Sequence, residues 1–143
     1  MMWAKGFSAE ETRAAFSRVT ELTAKADKFT DPFAAAHFEW SFAYLRGELR
    51  SARELELSFL KEAEDAGRVV EAGVARRGLA LACYYAADFI EARTHCVRAL
   101  EACDPEHERE TQERFHDATG PLVMSVFAVT MWQLGEVDRA RTD

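Results

Sequence analysis

Three short segments of the chain repeat one pattern, and that repeat limits the fold more than any other feature. RGELRSAREL (46–55), AADFIEARTH (86–95) and LGEVDRARTD (134–143) each carry a small residue, an acid, an apolar residue, two variable positions and an alanine. The matching sets are Gly47-Glu48-Leu49 with Ala52, Ala87-Asp88-Phe89 with Ala92, and Gly135-Glu136-Val137 with Ala140. An aromatic stands three residues before each small residue: Tyr44, Tyr84 and Trp132. The small residue permits a sharp chain reversal, and the alanine lets the second helix approach the first closely. The offsets between segments are 40 and 48 residues, so helix–turn–helix units recur along the chain.

Composition agrees with an all-α chain. There are 25 Ala, one Ile and no Asn among 143 residues, with three Pro and seven Gly. Alanine is the best helix former, and the β-branched residues that suit strands are scarce. With 48% hydrophobic and 30% charged residues the composition is that of one soluble globular domain. The net charge of −7 argues against nucleic-acid binding, which needs a basic stripe to displace counterions. The most apolar window, Leu122–Leu134, is shorter than the about 20 residues a membrane helix requires. No signal peptide is visible at the N-terminus, and three cysteines make an odd set, so a cytoplasmic, reducing setting is expected.

Helices are expected as follows. Ser8 and Glu11 form a capping box opening a helix to about Asp27, with Ala15, Val19, Leu22 and Ala26 inward. Asp31 caps a helix whose first residue is Pro32. Phe33, Ala36, Trp40, Ala43 and Tyr44 make one of its faces, and Phe38, Phe42 and Leu45 another. Gly47 ends it. Further helices run from Leu49 to Ala66 (Ala52, Leu55, Phe59, Leu60 and Ala63 inward), from Val70 to Ala86, and from Phe89 to Cys103. The acidic stretch 104–120 reads as a solvated short helix or loop. A last full helix follows Gly120-Pro121 to Leu134, and a short one starts at Val137. One domain thus comprises a half repeat (8–27), two repeats (32–66 and 70–103), the acidic connector and a partial repeat (121–143).

The turn pattern resembles the tetratricopeptide repeat, whose helix–turn–helix unit carries a G-D/E-Y-x-x-A turn at its centre. The resemblance spans nearly the whole chain and implies a short right-handed solenoid of stacked antiparallel helical hairpins. The family period is 34 residues, so the connectors here are longer, and Glu56 stands where the family usually has an aromatic. The family's Leu-Gly pair reads Glu39-Trp40, Leu79-Ala80 and Phe127-Ala128. GEL-x-x-A, ADF-x-EAR and LGEVDRAR are also similar to the carboxy-terminal helical region of large bacterial regulators that carry a class III nucleotide cyclase domain and a P-loop ATPase domain. Neither enzymatic module is found, and no GxxxxGK[ST] occurs.

In the tetratricopeptide family a concave groove lined by the first helix of each repeat holds peptides. Alignment on the turns implies groove positions at His37, Ser41 and Tyr44, at Arg77, Leu81, Tyr84 and Tyr85, and at Ser125, Val129, Trp132 and Gln133. Tyr, Trp and Arg dominate binding hot spots. Against that role, Tyr44, Tyr84 and Trp132 also suit packing between helices, and Arg77 a solvated charge. The implied function is a non-catalytic module of a bacterial signalling protein that binds a protein or peptide partner.

Two other functions remain open. Self-association of a regulatory tail would use Leu122, Val126 and Val129 on the apolar helix 122–134, giving a homodimer. A small-molecule sensor would line a pocket with Trp40, Tyr84, Tyr85 and Phe127. No enzyme is expected, because no nucleophile–base arrangement stands out. No cofactor or metal is expected either. Cys96, Cys103 and His107 lack zinc spacing, and Cys96 and Cys103 suit buried small hydrophobes. His107 and His116 lie near Asp104 and Asp117 in the acidic stretch, a pairing common in solvated loops.

Overall fold

A computed structural model describes residues 32–115 and 118–142, together with Glu10, Glu11, Ala14, Ala15, Ser17, Arg18 and Glu21. The capping box at Ser8, the stripe Val19, Leu22 and Ala26, the Asp31 cap, the Phe38 side chain, His116 and Asp117 lie outside the described residues. Ala15, expected inward, is exposed.

Among the described residues every regular element is an α-helix. They are α1 (Pro32–Leu45), α2 (Leu49–Asp65), α3 (Val69–Tyr85), α4 (Phe89–Glu101), α5 (Pro105–Phe115), α6 (Thr119–Gln133) and α7 (Val137–Thr142). None of them is long and apolar enough to cross a membrane.

Four reversals share one backbone geometry. Gly47, Gly67, Ala87 and Gly135 all have positive φ, between 62° and 80°. Each N–H bonds back to the carbonyl three residues earlier, and the next N–H reaches the carbonyl five residues earlier. At the third turn these are Ala87 N to Tyr84 O, 3.0 Å, and Asp88 N to Cys83 O, 2.9 Å. This paired bonding is the Schellman motif, which satisfies carbonyls that a helix end leaves orphaned. The first three reversals stand 20 residues apart, and α2 and α3 are both 17-residue helices. The Gly67 turn belongs to this set although Arg68 stands where the repeat pattern has an acid and Glu64 where it has an aromatic.

Each reversal packs a helix against its predecessor: α1 on α2, α2 on α3, α3 on α4, and α6 on α7. α3 is the central element. It also touches α1, α5 and α6, and eleven of its residues are buried. Ala75, Gly78, Ala80 and Ala82 keep its surface thin enough for several helices to approach. α6 packs on both α3 and α4.

The acidic stretch is more ordered and less solvated than its composition suggests. Asp104 caps α5 by accepting from the N–H groups of Glu106 and His107, both at 2.9 Å. Thr111 and Phe115, four residues apart, form a buried stripe on an otherwise polar helix. Pro121 lies inside the first turn of α6, which begins at Thr119, because first-turn N–H groups have no partner within the helix anyway.

The buried stripe of α2 also departs from expectation. Glu56 is buried and Leu55 only half-buried. The cause lies on the neighbouring helix. A Cβ on Gly78 would stand 2.6 Å from Glu56 Cδ and 3.0 Å from its Cγ, and closer still to Oε1. The missing side chain of Gly78 is the space that Glu56 occupies.

Candidate functional site

The first helices of the hairpins, α1, α3 and α6, form one face of the molecule, and α5 lies against it. α5 touches α1, α3 and α6 in turn. Its anchors sit near the N-terminal ends of those helices. Phe115 packs edge-on to His37 at 5.4 Å between ring centroids and joins the core of Phe33, Val70 and Val74. Arg114 donates to Glu71 at 2.7 Å, and Arg68 donates to the same carboxylate at 2.9 Å. Burial alone would raise the Glu71 pKa, but the bonds from Arg114 and Arg68 outweigh it and hold the carboxyl below its usual range. At the start of α5, Glu108 accepts from Gly120 N–H at 2.8 Å and from the Cys103 thiol at 3.0 Å. The N-terminal half of the face is therefore covered by the chain's own acidic helix.

Beneath this cover lie charged residues. His37 and Arg77, expected on an open groove, are buried, Arg77 to 1% exposure. The solvated reading of Arg77 is thus corrected as well. Its Nη2 lies 3.5 Å from His37 Nε2. Burial, and then the nearby guanidinium, lower the His37 pKa to about 3, so the ring is neutral and accepts from Arg77 at neutral pH. Glu56 completes the group. Burial raises its pKa well above the usual carboxylate range, and the Arg77 charge opposes that only in part. These groups are part of the interior rather than of an open groove.

Among the described residues, nothing covers the C-terminal half of the face. A row of rings runs along it: His37 stacks on Trp40 at 5.3 Å, Trp40 on Tyr44 at 5.4 Å, and Tyr44 meets Tyr85 edge-on at 5.8 Å. Tyr85 in turn meets Tyr84 at 5.4 Å, and Tyr84 meets Phe89 at 5.7 Å. Within the row Trp40 is buried and Tyr85 is exposed, at 59%. Between them Tyr44 is half-buried, and burial, then the neighbouring Tyr85 hydroxyl, push its ionisation upward. Tyr44, Leu45, Gly47, Leu49 and Tyr85 line an open cleft of about 360 Å³.

The remaining expected positions divide in the same way. Ser41 is half-buried and donates to the His37 carbonyl at 2.9 Å. Leu81 and Tyr84 are half-buried, while Ser125 (its hydroxyl bonded to Pro121 O), Trp132 and Gln133 are exposed. Of the self-association trio, Val126 is buried and Leu122 half-buried, whereas Val129 is exposed. Val126 faces inward because α6 seats it in the core shared with Ala80 of α3 and Cys96 and Ala99 of α4. The sensor set does not converge on one space. Trp40 packs with Ala43 and Ala52, while Phe127 belongs to the α3–α4–α6 core, with Tyr84 at its edge.

The Cys96, Cys103 and His107 trio is not assembled. Cys96 is buried in that same core, Cys103 bonds to Glu108, and His107 Nδ1 lies 3.0 Å from Asp104 Oδ2. Two features escaped the sequence reading. The first is the cover provided by α5, whose signal was Thr111 and Phe115 four apart in an acidic run. The second is Cys83 beside Glu91 and His95, whose signal was a Glu-x3-His pair opening α4. No family model, curated protein or solved structure matches the chain.

Proposed function

We propose that the chain is a short tetratricopeptide-like solenoid acting without chemistry, as a peptide-binding module of a bacterial signalling or regulatory protein. The observation that carries this reading is the aromatic row, buried at Trp40 and exposed at Tyr85, in the last turns of the first helices. Rigid aromatics on packed helices offer contact area at low ordering cost, and they suit apolar or aromatic peptide side chains. Trp132, 57% exposed in the last turn of α6, extends the same register. The four matching reversals support the repeat reading.

The test is selection of peptides from a display library on the folded full chain, followed by titration against variants. Tyr85→Ala and Trp132→Ala should each weaken the selected peptide at least tenfold with unchanged helicity. Peptides that bind both variants as tightly as the wild type refute the site.

Self-association is a second reading, favoured by the joint exposure of Met124, Val129 (43%) and Trp132 on α6. Light scattering over a hundredfold concentration range tests it. A dimer that Val129→Asp dissolves supports it, and a monomer throughout refutes it. Val126→Asp is the wrong probe, since it places a charge in the core.

A further inference from the structure

We propose that Cys83, Glu91 and His95 bind a zinc ion at the α3–α4 reversal, through one sulfur, one oxygen and one nitrogen, with the fourth position left to water. Zinc accepts this mixed donor set in tetrahedral geometry, and three protein ligands plus water is a usual arrangement. The Cys83 Sγ, a Glu91 carboxylate oxygen and a His95 ring nitrogen all lie within 4.8 Å of one another. Ligand atoms around tetrahedral zinc stand about 3.5 Å apart. No pair of donor atoms therefore has to close by more than about 1 Å to reach tetrahedral spacing.

The turn builds this arrangement. The Asp88 N–H bond to the Cys83 carbonyl closes the reversal and sets Cys83 beside the first turns of α4. Asp88 caps α4 by accepting from Glu91 N–H, and His95 follows Glu91 by one helical turn. His95 Nε2 is already 3.3 Å from Glu91 Oε2. At the other three reversals the position of Cys83 holds Ala43, Ala63 or Met131, and that of His95 holds Leu55, Ala75 or Asp143. The scaffold is repeated, but the ligand set occurs at this turn alone.

The local chemistry favours the ion. His95 is about nine-tenths buried, and its Nδ1 has no hydrogen-bond partner among the described residues. Burial lowers its pKa, more than the Glu91 carboxylate raises it, which keeps the imidazole neutral as a ligand must be. Cys83 is fully buried and outside any disulfide, and burial raises its thiol pKa, so the ion itself has to displace the proton. Binding removes the thiol proton to solvent. The thiolate and the Glu91 carboxylate then balance the two charges of the metal. Arg53 stands 3.7 Å from Asp88 and 3.9 Å from Glu91, so it can keep Asp88 when Glu91 turns to the ion.

The experiment titrates cobalt(II), as a coloured stand-in for zinc, into the chelator-treated full chain under reducing conditions. One equivalent should produce a thiolate-to-cobalt charge-transfer band and tetrahedral ligand-field bands, and zinc should abolish both. Zinc should also raise the midpoint of thermal unfolding. Cys83→Ser and His95→Gln should each lower affinity at least tenfold, while Cys96→Ser and Cys103→Ser leave it unchanged. Circular dichroism confirms that each variant is folded. A folded wild type with no charge-transfer band overturns the proposal. So does a band that survives Cys83→Ser or disappears in Cys103→Ser.

Discussion

Gly78→Ala should destabilise this protein although the same exchange in most helices stabilises it. Gly78 lies in the interior of α3, where alanine is favoured over glycine by about 1 kcal/mol. Here the new methyl group would fall on the Glu56 side chain, 2.6 Å from Cδ and 3.0 Å from Cγ. The end of a flexible side chain usually yields. Glu56, however, has 0% exposure, and its neighbour on α3 is the buried Arg77. Forcing a methyl group into a packed interior costs about 1–3 kcal/mol. Subtracting the helix-propensity gain leaves a net loss of about 1 kcal/mol. Glu56→Ala removes the obstacle, so in that background Gly78→Ala should stabilise by about 1 kcal/mol. The coupling energy between the two positions is then about 2 kcal/mol. Urea unfolding followed by circular dichroism, with a common m-value, measures all four corners of the cycle. If Gly78→Ala stabilises both backgrounds equally, the glycine does not make room for the carboxylate, and the account of why Glu56 is buried is wrong.

Other consequences are open to direct test. Ala87 holds a φ of 62° where the other three reversals have glycine, so Ala87→Gly should gain about 1 kcal/mol and Gly135→Ala lose a similar amount in thermal unfolding. His37 has its pKa lowered to about 3, so the unfolded chain takes up this proton first. Its contribution is intact above the unfolded value of 6.5 and is lost as pH falls toward 3, by about 1.4 kcal/mol per unit. The difference between wild type and His37→Gln, measured by urea unfolding from pH 7 to 4, should show that slope. No pH dependence in the difference would place the ring in solvent. Phe115→Ala should cost about 3 kcal/mol and speed amide hydrogen exchange in α5 ahead of α3, since that ring ties α5 to the core.

The helices and their reversals were legible because their signals are local. A positive-φ position needs glycine or tolerates a small residue, and Gly47, Gly67, Ala87 and Gly135 announce themselves within a few residues of sequence. The caps at Asp88 and Asp104 are equally local, although neither residue was read as a cap from the sequence. What failed was inference across helices. Whether Arg77 meets water depends on α1 and α5, which come 40 residues before it and 30 after. Whether Glu56 is buried depends on the absence of an atom on Gly78. α5 was misjudged because charge dominates its composition, whereas burial of a helix is decided by one stripe, here Thr111 and Phe115.

The same division between local and cross-helix effects bears on how such a face can be specific. Stacked hairpins give every unit a similar backbone, so selectivity must come from what is added to or withheld from the shared face. In this chain α5 closes one end, with Phe115 in the core and Arg114 on Glu71, and leaves Tyr44 and Tyr85 lining the open cleft at the other. On the proposed peptide-binding reading, a peptide on this face would be short or turn away before it reaches Glu71. Loosening α5 lengthens the accessible face. Phe115→Ala consequently separates two outcomes for any peptide that binds the open end. If the peptide reads only Tyr44, Tyr85 and Trp132, its affinity is unchanged while the chain remains folded. If it also competes with α5, its affinity rises as that helix is released, because less of the binding energy goes to displacing it. A fall in affinity with the fold intact would mean that the peptide contacts α5 itself, and the face would then have to be redrawn around the acidic helix.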